Sequence, residues 1–357
     1  MIIANRLQNL RQALAAKASE AILISQPETR LYLSGFDGSA GYLLITPQAA
    51  ILATDFRYIE QAKAQAPDYE IRRLAGDAAD WLPGLATELE LGDVAFEAAN
   101  ITVTQYGKLN DALDKSKTPT KLTPLEELVE PLRAVKEPEE IKLITQAAEL
   151  ADAAYEYVEA KIKAGMTEKE IAWEIEKTLR ERGSQTIPFD IIVASGPNAA
   201  LPHARPTSRV IGNGEPIVID MGARIDGYCS DLSRTLCPGK RDDRFNEVYD
   251  IVLKAQQAAI SSIKEGVTGE KVDAAARKYI EDAGYGEAFG HVLGHGVGLA
   301  AHELPHIAPN SSEPLIDGMI FTVEPGIYLA GWGGVRIEDM VLMENGEARV
   351  LSQARRI

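Results

Sequence analysis

Ile217-Val-Ile-Asp-Met-Gly-Ala-Arg-Ile-Asp-Gly-Tyr-Cys-Ser-Asp231 is an apolar run that reaches an acid, turns at glycine and returns to a second acid. The stretch 319–338 follows the same plan. Apolar runs of this length, bounded by glycine, predict strands joined in hairpins, with the acids at the edge of a buried sheet. Each hairpin contributes two carboxylates: Asp220 and Asp231 in the first, Glu324 and Glu338 in the second.

Helical segments precede the two hairpins in matching positions. Gly165-Met-Thr167 opens a segment that ends at Gly183, and Gly266-Val-Thr268 opens one of equal length that ends at Gly284. The second part of the chain is therefore an internal duplication of helices followed by antiparallel strands. We expect two halves related by an approximate two-fold axis, with the four carboxylates meeting where the hairpins adjoin.

Histidine supplies the remaining potential ligand. Four of the five histidines fall between residues 291 and 306, and His295 lies within Gly294-His-Gly296, which permits close backbone approach to a ligand. Buried carboxylates without partners neutralise or destabilise a fold, whereas two divalent cations would relieve their repulsion and supply the chemistry of amide hydrolysis. The sequence predicts a two-metal site with these ligands: Asp220, Asp231, His295, Glu324 and Glu338.

Other interpretations of these residues compete with metal binding. The two aspartates are common turn residues, but Glu324 and Glu338 are poor strand residues set among strand formers, which favours ligation. The string His302-Glu-Leu-Pro-His306 matches a single-zinc signature. That signature needs a helix, and Pro305 disfavours one, so we expect the match to be accidental.

Composition limits the class of protein. The 357 residues exceed the usual size of one hydrophobic core, so two domains are expected. The formal net charge of -16 repels phosphate backbones, and we expect no nucleic-acid partner. We also expect no membrane contact, because no signal peptide or membrane-spanning segment is recognised. Cys229 and Cys237, if they share one extended strand, are too far apart to bond, and a cytoplasmic location is expected.

The first domain is predicted over residues 1–130 and the second over residues 131–357. Alternating short apolar runs and periodic leucines predict mixed α/β structure in the first. The polar, proline-bearing stretch 114–124 is typical of a connection. Pro138 and the two glutamates after it then open a long helix, because proline and acids suit a helix N-terminus.

Motifs in the second domain carry a family resemblance: Ile192–His203, Ile219–Ala223, Gly227–Thr235, Gly294–Gly298, Val323–Tyr328 and Gly334–Asp339. Through them the chain resembles the pita-bread metallopeptidases, in particular the proline-specific branch of Xaa-Pro aminopeptidases and Xaa-Pro dipeptidases. Tyr32–Gly41 and Thr54–Tyr58 are similar to the creatinase-type N-terminal domain of that branch. The implied fold is a two-domain α/β protein: a creatinase-type N-terminal domain and a pita-bread catalytic domain of duplicated helices and antiparallel strands.

The resemblance implies how the ligands are shared. Asp231 and Glu338 would bridge two metals, and Asp220 would join them in holding one or both. His295 and Glu324 would complete the shell of the second metal. Manganese agrees with the oxygen-rich ligation, while cobalt, zinc or iron are the alternatives.

The implied reaction is attack by a metal-bridging hydroxide on the carbonyl before proline. Glu324 would pass the proton to the departing prolyl nitrogen. His302 and His203 would stabilise the oxyanion. His291 would line the site, and Arg336 would pair with a ligating carboxylate.

Proline-containing peptides are the implied substrates, because an imide bond lacks an N–H and its ring fixes φ. Many relatives carry His-Glu-x-Pro-Arg where this chain has His306 after Pro305. If that arginine holds the far end of the substrate, its loss weakens the case for a dipeptidase. The Gly-rich motif within Tyr32–Gly41 also favours an aminopeptidase. We therefore expect a metallo-aminopeptidase specific for Xaa-Pro bonds, with an Xaa-Pro dipeptidase as the alternative.

Similar proteins are commonly homodimers, and a homodimer is expected here. Two further classes stay open: a binding module built on the same fold, and a metal-independent amidinohydrolase of the creatinase type. Neither class needs the full ligand set.

Overall fold

The computed structural model describes residues 2–116 and 120–357 and divides the chain into two compact units, Met1–Arg133 and Ala134–Ile357. Within the described residues, the helices include none that is long and apolar enough to cross a membrane. Cys229 and Cys237 are both buried and free, as predicted.

The N-terminal unit contains one sheet, whose strands are β1 Ile22–Ile24, β2 Tyr42–Ile45, β3 Ala50–Thr54, β4 Glu70–Arg73, β5 Asp93–Glu97 and β6 Lys121–Leu125. The helices in this part of the chain are α1 Ile2–Ala16, α2 Pro27–Ser34, α3 Ile59–Gln65, α4 Ala78–Glu88, α5 Val103–Asp114 and α6 Glu130–Ala134. The strand order is β4-β3-β2-β1-β5-β6. β2 pairs antiparallel with β1 and β3, and the other pairs are parallel. The predicted mixed α/β structure is confirmed.

Two elements of this unit differ from the prediction. The stretch 114–124 is predicted as a connection, but β6 pairs parallel with β5 and becomes an edge strand, so the prediction is wrong from Lys121 onward. Residues 117–119 of that stretch lie outside the described residues. No helix is predicted at α2, although Pro27 in its first turn and Gly35 at its end, with φ of 75°, are typical helix signals.

The C-terminal unit contains the long helices α7 Pro138–Glu159, α8 Glu168–Glu181, α9 Asp243–Ser262 and α10 Gly269–Asp282. The strands of its first half are β7 Ile192–Ser195, β8 Ile217–Met221, β9 Arg224–Ile225, β10 Tyr228–Cys229 and β11 Leu232–Leu236. Those of its second half are β12 Gly294–Gly296, β13 Glu303–Ile307, β14 Ile320–Val323, β15 Gly326–Leu329, β16 Gly333–Arg336, β17 Asp339–Glu344 and β18 Glu347–Val350.

The predicted duplication is present in this unit. α8 and α10 each contain 14 residues and follow a threonine, Thr167 or Thr268. Each half also has an antiparallel sheet, β11-β8-β7 in the first and β13-β12-β14-β17-β18 in the second, and a small hairpin, β9-β10 or β15-β16. Each half packs a hydrophobic core of its own between its helices and strands. The two halves meet where the backbone N–H of Glu338 donates to the carbonyl of Ser233 at 3.1 Å.

A buried arginine joins the two halves beside that contact. Arg234 on β11 pairs with Asp339 on β17, with 2.8 Å between Nη2 and Oδ1, and their side chains are 1% and 0% exposed. The same guanidinium donates to the carbonyl of Ala354 at 2.8 Å. Arg356 also pairs with Asp339. Strands β11 and β17, which begin directly after the candidate ligands Asp231 and Glu338, are therefore held together by a buried ion pair.

Replacing Arg234 by alanine should destabilise the protein by about 3 kcal/mol, because it removes one partner of a buried ion pair and leaves buried Asp339 with Arg356 alone. Arg349→Ala is the matched control, since Arg349 and Glu344 form a pair whose side chains are both 46% exposed. That control should cost less than about 1 kcal/mol. Urea denaturation followed by circular dichroism measures both changes, and equal losses would show that the buried pair does not hold the halves together.

Candidate metal centre

The residues that the sequence assigns to the site all line one cavity of about 460 Å³ in the C-terminal unit. The side chains brought together in this way are His203, Asp220, Asp231, His291, His295, His302, Glu324, Arg336 and Glu338. Residues far apart in the sequence and drawn from both halves of the duplication therefore converge on one volume.

The ends of the strands place the four carboxylates. Asp220 is next to last in β8, and Asp231 immediately precedes β11, its antiparallel partner. In the second half, Glu324 immediately follows β14 and Glu338 immediately precedes β17. β14 and β17 are also antiparallel, so the end of one lies beside the start of the other. Each half contributes its two acids from equivalent positions.

Three of the carboxylates form the tightest group. One ligand oxygen from each of Asp220, Asp231 and Glu338 lies within 4.8 Å of the others. The remaining two predicted ligands adjoin this group: His295 Nε2 is 3.8 Å from Asp231 Oδ2 and 3.3 Å from Glu324 Oε1. The imidazole thus links the acids of the first half to Glu324 of the second.

Burial and repulsion disfavour charge on the three clustered acids. Burial raises the pKa of Asp231 well above its usual range, and the charges of Glu338 and Asp220 raise it further. The pKa of Glu338 is raised well above its usual range by burial, then by Glu324 and Asp220. Burial also raises the pKa of Asp220, against the opposing charge of Arg336. A divalent cation would compensate this repulsion.

Unpaired oxygen atoms also fit a bound cation. Within the described residues, Asp220 Oδ1 and Glu338 Oε1 are buried and have no hydrogen-bond partner. A buried polar atom without a partner is costly, whereas a carboxylate oxygen is a preferred ligand of hard divalent metals. The donor set, four carboxylates and one imidazole, therefore suits divalent metal ions such as manganese.

Glu324 and His295 form a pair that differs electrostatically from the clustered acids. Although burial favours the neutral form of Glu324, the hydrogen bond from His295 lowers its pKa. Burial opposes the charged form of His295, but Glu324 raises its pKa. His295 Nδ1 donates to the carbonyl of Gly296 at 3.1 Å, which leaves Nε2 facing the acids. The geometry presents Nε2 as the nitrogen that would bind a metal.

The glycines beside His295 serve a purpose other than the predicted approach to a ligand. A Cβ at Gly294 would lie 2.0 Å from the carbonyl oxygen of Thr322, and one at Gly296 would lie 2.0 Å from that of Leu304. The close neighbours are thus the backbones of β14 and β13. These glycines let three strands pack tightly, which fixes the imidazole between them.

Arg336 is buried behind the carboxylates and is fully engaged. Its Nη2 donates to Asp220 Oδ2 at 2.8 Å, and its Nε donates to Ser233 Oγ at 2.8 Å. Its Nη1 donates to the carbonyl of Pro202 at 3.1 Å and to the hydroxyl of Tyr328 at 3.0 Å. The guanidinium therefore orients one clustered acid and reaches the loop that carries His203.

Tyr328 is a residue of the site that the sequence does not single out. Its hydroxyl lies 2.9 Å from His291 Nε2 and also accepts from Arg336. Register explains the contact: Gly326 pairs with Arg336 and Tyr328 pairs with Gly334, so tyrosine and arginine are diagonal neighbours on the β15-β16 hairpin. The two-residue period of that hairpin is the signal that would have found Tyr328.

The single-zinc interpretation of His302–His306 is wrong. The segment Glu303–Ile307 is strand β13, so the helix that this signature needs is absent there. Its glutamate instead pairs with buried Lys136, with 2.9 Å between Nζ and Oε1. His302 lines the cavity and its ring stacks on His295, with centroids 3.9 Å apart, whereas His306 is not among the described residues that line the cavity.

A second residue missed from the sequence, Glu168, anchors the loop of His203. Glu168 is buried at the start of α8. Its Oε1 accepts from the backbone N–H and hydroxyl of Ser195, each at 2.8 Å. Its Oε2 accepts from the backbone N–H of Thr207 at 2.9 Å and from its hydroxyl at 2.6 Å, and Asn198 donates to the same carboxylate. Both ends of the segment 195–207 are therefore fixed.

Known families and structures match the chain along its length. Residues 142–345 match metallopeptidase family M24, and residues 6–135 match the creatinase/prolidase N-terminal domain. A structure titled Xaa-Pro dipeptidase from Bacillus anthracis is 40% identical, with a TM-score of 0.95 and 99% of each chain covered. An X-Pro aminopeptidase structure from Thermotoga maritima is 38% identical, with a TM-score of 0.90 and 98% of each chain covered. An Xaa-Pro dipeptidase of Pyrococcus horikoshii is 33% identical over 100% of this chain and 99% of its own.

The duplicated fold and its acidic cavity define a hydrolase of the pita-bread class. The chain belongs to metallopeptidase family M24. The predicted two-domain fold, with a creatinase-type N-terminal domain and a pita-bread C-terminal domain, is confirmed.

Asp231→Asn should stabilise the metal-free protein while removing its stabilisation by metal. The substitution deletes one of the repelling buried charges and also one expected metal ligand. Asp226→Asn is the control, because Asp226 is exposed in the β9-β10 turn with φ of 46°, a conformation that asparagine also tolerates. Thermal unfolding with chelator and then with MnCl₂ measures both effects. A variant that is less stable without metal, or still stabilised by it, would contradict the assignment.

Proposed function

We propose that this protein is a dipeptidase that hydrolyses the Xaa-Pro bond of dipeptides and depends on two divalent metal ions. The observation that carries the metal-dependent hydrolysis is the convergence of the five potential ligands, with buried carboxylate oxygens left unpaired. The preference for proline dipeptides is supported by the dipeptidases among its relatives.

The dipeptidase is now the first candidate, whereas the sequence favoured the aminopeptidase. That expectation of an aminopeptidase depended on His306 in place of an arginine and on the Gly-rich motif of the first domain, and the named relatives support the dipeptidase better. The Thermotoga maritima structure, titled an aminopeptidase, is the observation that keeps an aminopeptidase as the second candidate. Manganese as the native metal and a homodimer as the native assembly remain predictions.

The metals would be held by the residues at the strand ends. Asp220, Asp231 and Glu338 would share them as the clustered acids, and His295 with Glu324 would complete the ligand set. Bound divalent metals supply Lewis acidity and make a water-derived nucleophile available at neutral pH. Arg336 would hold Asp220 in its ligating orientation through the 2.8 Å hydrogen bond between them.

Glu324 is the proposed proton carrier. The hydrogen bond from His295 lowers its pKa against the effect of burial, so the carboxylate is charged at neutral pH and can accept a proton. Its side chain lines the cavity, where it can deliver that proton to the departing prolyl nitrogen. That nitrogen needs a proton donor because, without one, proline would have to leave as an amide anion, which is a strong base and a poor leaving group.

The imidazoles of the site have two proposed roles: hydrogen-bond donation to the oxyanion, and structural support of the cavity wall. Burial and the nearby charge of His295 lower the pKa of His302, so its ring is neutral at neutral pH and can donate one N–H to the developing oxyanion. His203 faces the same cavity from the anchored loop. Both nitrogens of His291 are occupied, by Val292 at 2.7 Å and Tyr328 at 2.9 Å, so His291 supports the wall of the site.

With manganese supplied, the protein should hydrolyse Ala-Pro with a kcat/KM at least about tenfold above that for Ala-Pro-Ala, since one charged hydrogen bond to the free carboxylate supplies that factor. Exhaustive chelation should abolish both activities. Steady-state kinetics with Ala-Pro and Ala-Pro-Ala under the same conditions distinguish the dipeptidase from the aminopeptidase. Preference for Ala-Pro-Ala would support the aminopeptidase, and activity in fully metal-free protein would support a metal-independent amidinohydrolase of the creatinase type.

His302→Ala should lower kcat by about 10²- to 10³-fold, the usual effect of removing one oxyanion donor, with little change in KM. His306→Ala, on the same segment but not among the residues that line the cavity, is the control and should leave kcat unchanged. Bound metal, measured by mass spectrometry, should stay the same in both variants. A normal kcat in the first variant would remove His302 from the mechanism, and loss of metal in the second would revive the single-zinc site.

A further inference from the structure

The cavity contains a cation that the mechanism above does not use. Two permanently charged cations, Arg205 and Arg336, line it within the described part of the chain. Arg336 is buried, and its hydrogen bonds to Asp220, Ser233, Pro202 and Tyr328 leave it committed to the site itself. Arg205 is 85% exposed, and it is the cation that a substrate can reach.

Arg205 stands on a fixed backbone although its side chain is free to move. It lies between Asn198 and Thr207, and both of these residues are hydrogen-bonded to buried Glu168. Its recorded ion pair is with Asp190 at 3.3 Å, and that side chain is 80% exposed. An exposed pair of this kind contributes little stability, so a substrate carboxylate can replace Asp190 at small cost.

The position of Arg205 suits the far end of a short substrate. Phe189, Asp190 and Arg205 line both the catalytic cavity and a neighbouring cavity of about 650 Å³ that contains exposed Trp173. These three residues thus lie at the border between the two cavities. A peptide that ends at proline would place its terminal carboxylate at this border, whereas a longer peptide would continue toward Trp173.

Charge favours a cation at this border. Bound metals would compensate the four carboxylates of the metal centre, so the acid of the cavity lining that stays uncompensated is Asp190, which repels a free carboxylate unless Arg205 faces it. We propose that Arg205 binds the C-terminal carboxylate of the Xaa-Pro dipeptide, exchanging Asp190 for the substrate, and so selects dipeptides over longer peptides. A guanidinium is suited to this task because it stays charged and grips a carboxylate with two parallel N–H groups. This inference rests on the proposed dipeptidase function.

The test compares Ala-Pro with Ala-Pro amide, which lacks the terminal charge, in the metal-loaded enzyme. Arg205→Ala should raise KM for Ala-Pro by about 3- to 10-fold, the value of an ion pair that bound substrate partly shields from solvent, and leave kcat nearly unchanged. KM for the amide should not change, and the kcat/KM ratio of Ala-Pro-Ala to Ala-Pro should rise. Arg205→Lys should restore part of the affinity.

Arg180→Ala is the matched control, because Arg180 lines the neighbouring cavity and pairs with Glu176 at 2.9 Å. It should leave both substrates unaffected. If the wild-type protein hydrolyses Ala-Pro but Arg205→Ala affects Ala-Pro and its amide equally, or affects neither, the inference is wrong and the proposed function stands. If the wild-type protein does not hydrolyse Ala-Pro at all, both are wrong.

Discussion

Repulsion among buried carboxylates is the constraint on which the catalytic unit depends. Asp220, Asp231 and Glu338 approach within 4.8 Å of one another, and Asp231 and Glu338 are buried. Arg336 and His295 offset only part of this charge, and oxygen atoms remain unpaired. Such a cluster destabilises the folded protein until cations bind and offset the repulsion. Metal binding and the free energy of unfolding are therefore linked here.

The duplicated architecture is what brings those acids together. Each half places one acid at the end of a central strand and one at the start of its antiparallel partner. The halves are then joined by Arg234 and Asp339, one residue beyond the candidate ligand Glu338. The candidate ligands therefore lie on or directly beside paired strands, which hold side-chain geometry well, while His203, His302 and Arg205 lie outside the central strands.

Much of this could be predicted from sequence because the signal is local and repeated. Apolar runs that end on acids, the matched threonine-led helices and the Gly-His-Gly segment indicate the fold and place the candidate ligands in one cavity. The sequence does not indicate Tyr328, because its contact with His291 depends on the register of a hairpin. Nor does it indicate Glu168, because its partner Thr207 lies 39 residues further along the chain. The edge strand β6 was missed because pairing with β5 orders a polar segment that looks like a connection. The relatives support the dipeptidase better than the aminopeptidase expected from His306 and from the Gly-rich motif of the first domain, because two short local features do not fix which substrate length a cavity accepts.

Crystals grown with manganese and measured by anomalous diffraction above and below the manganese edge would test the central claim most directly. We expect two anomalous peaks, both within the cavity and each in contact with carboxylates from both halves of the duplication. Asp231 and Glu338 should touch both peaks, and His295 should touch one. A single peak at His302 and His306, or a cavity without any peak at saturating manganese, would contradict it.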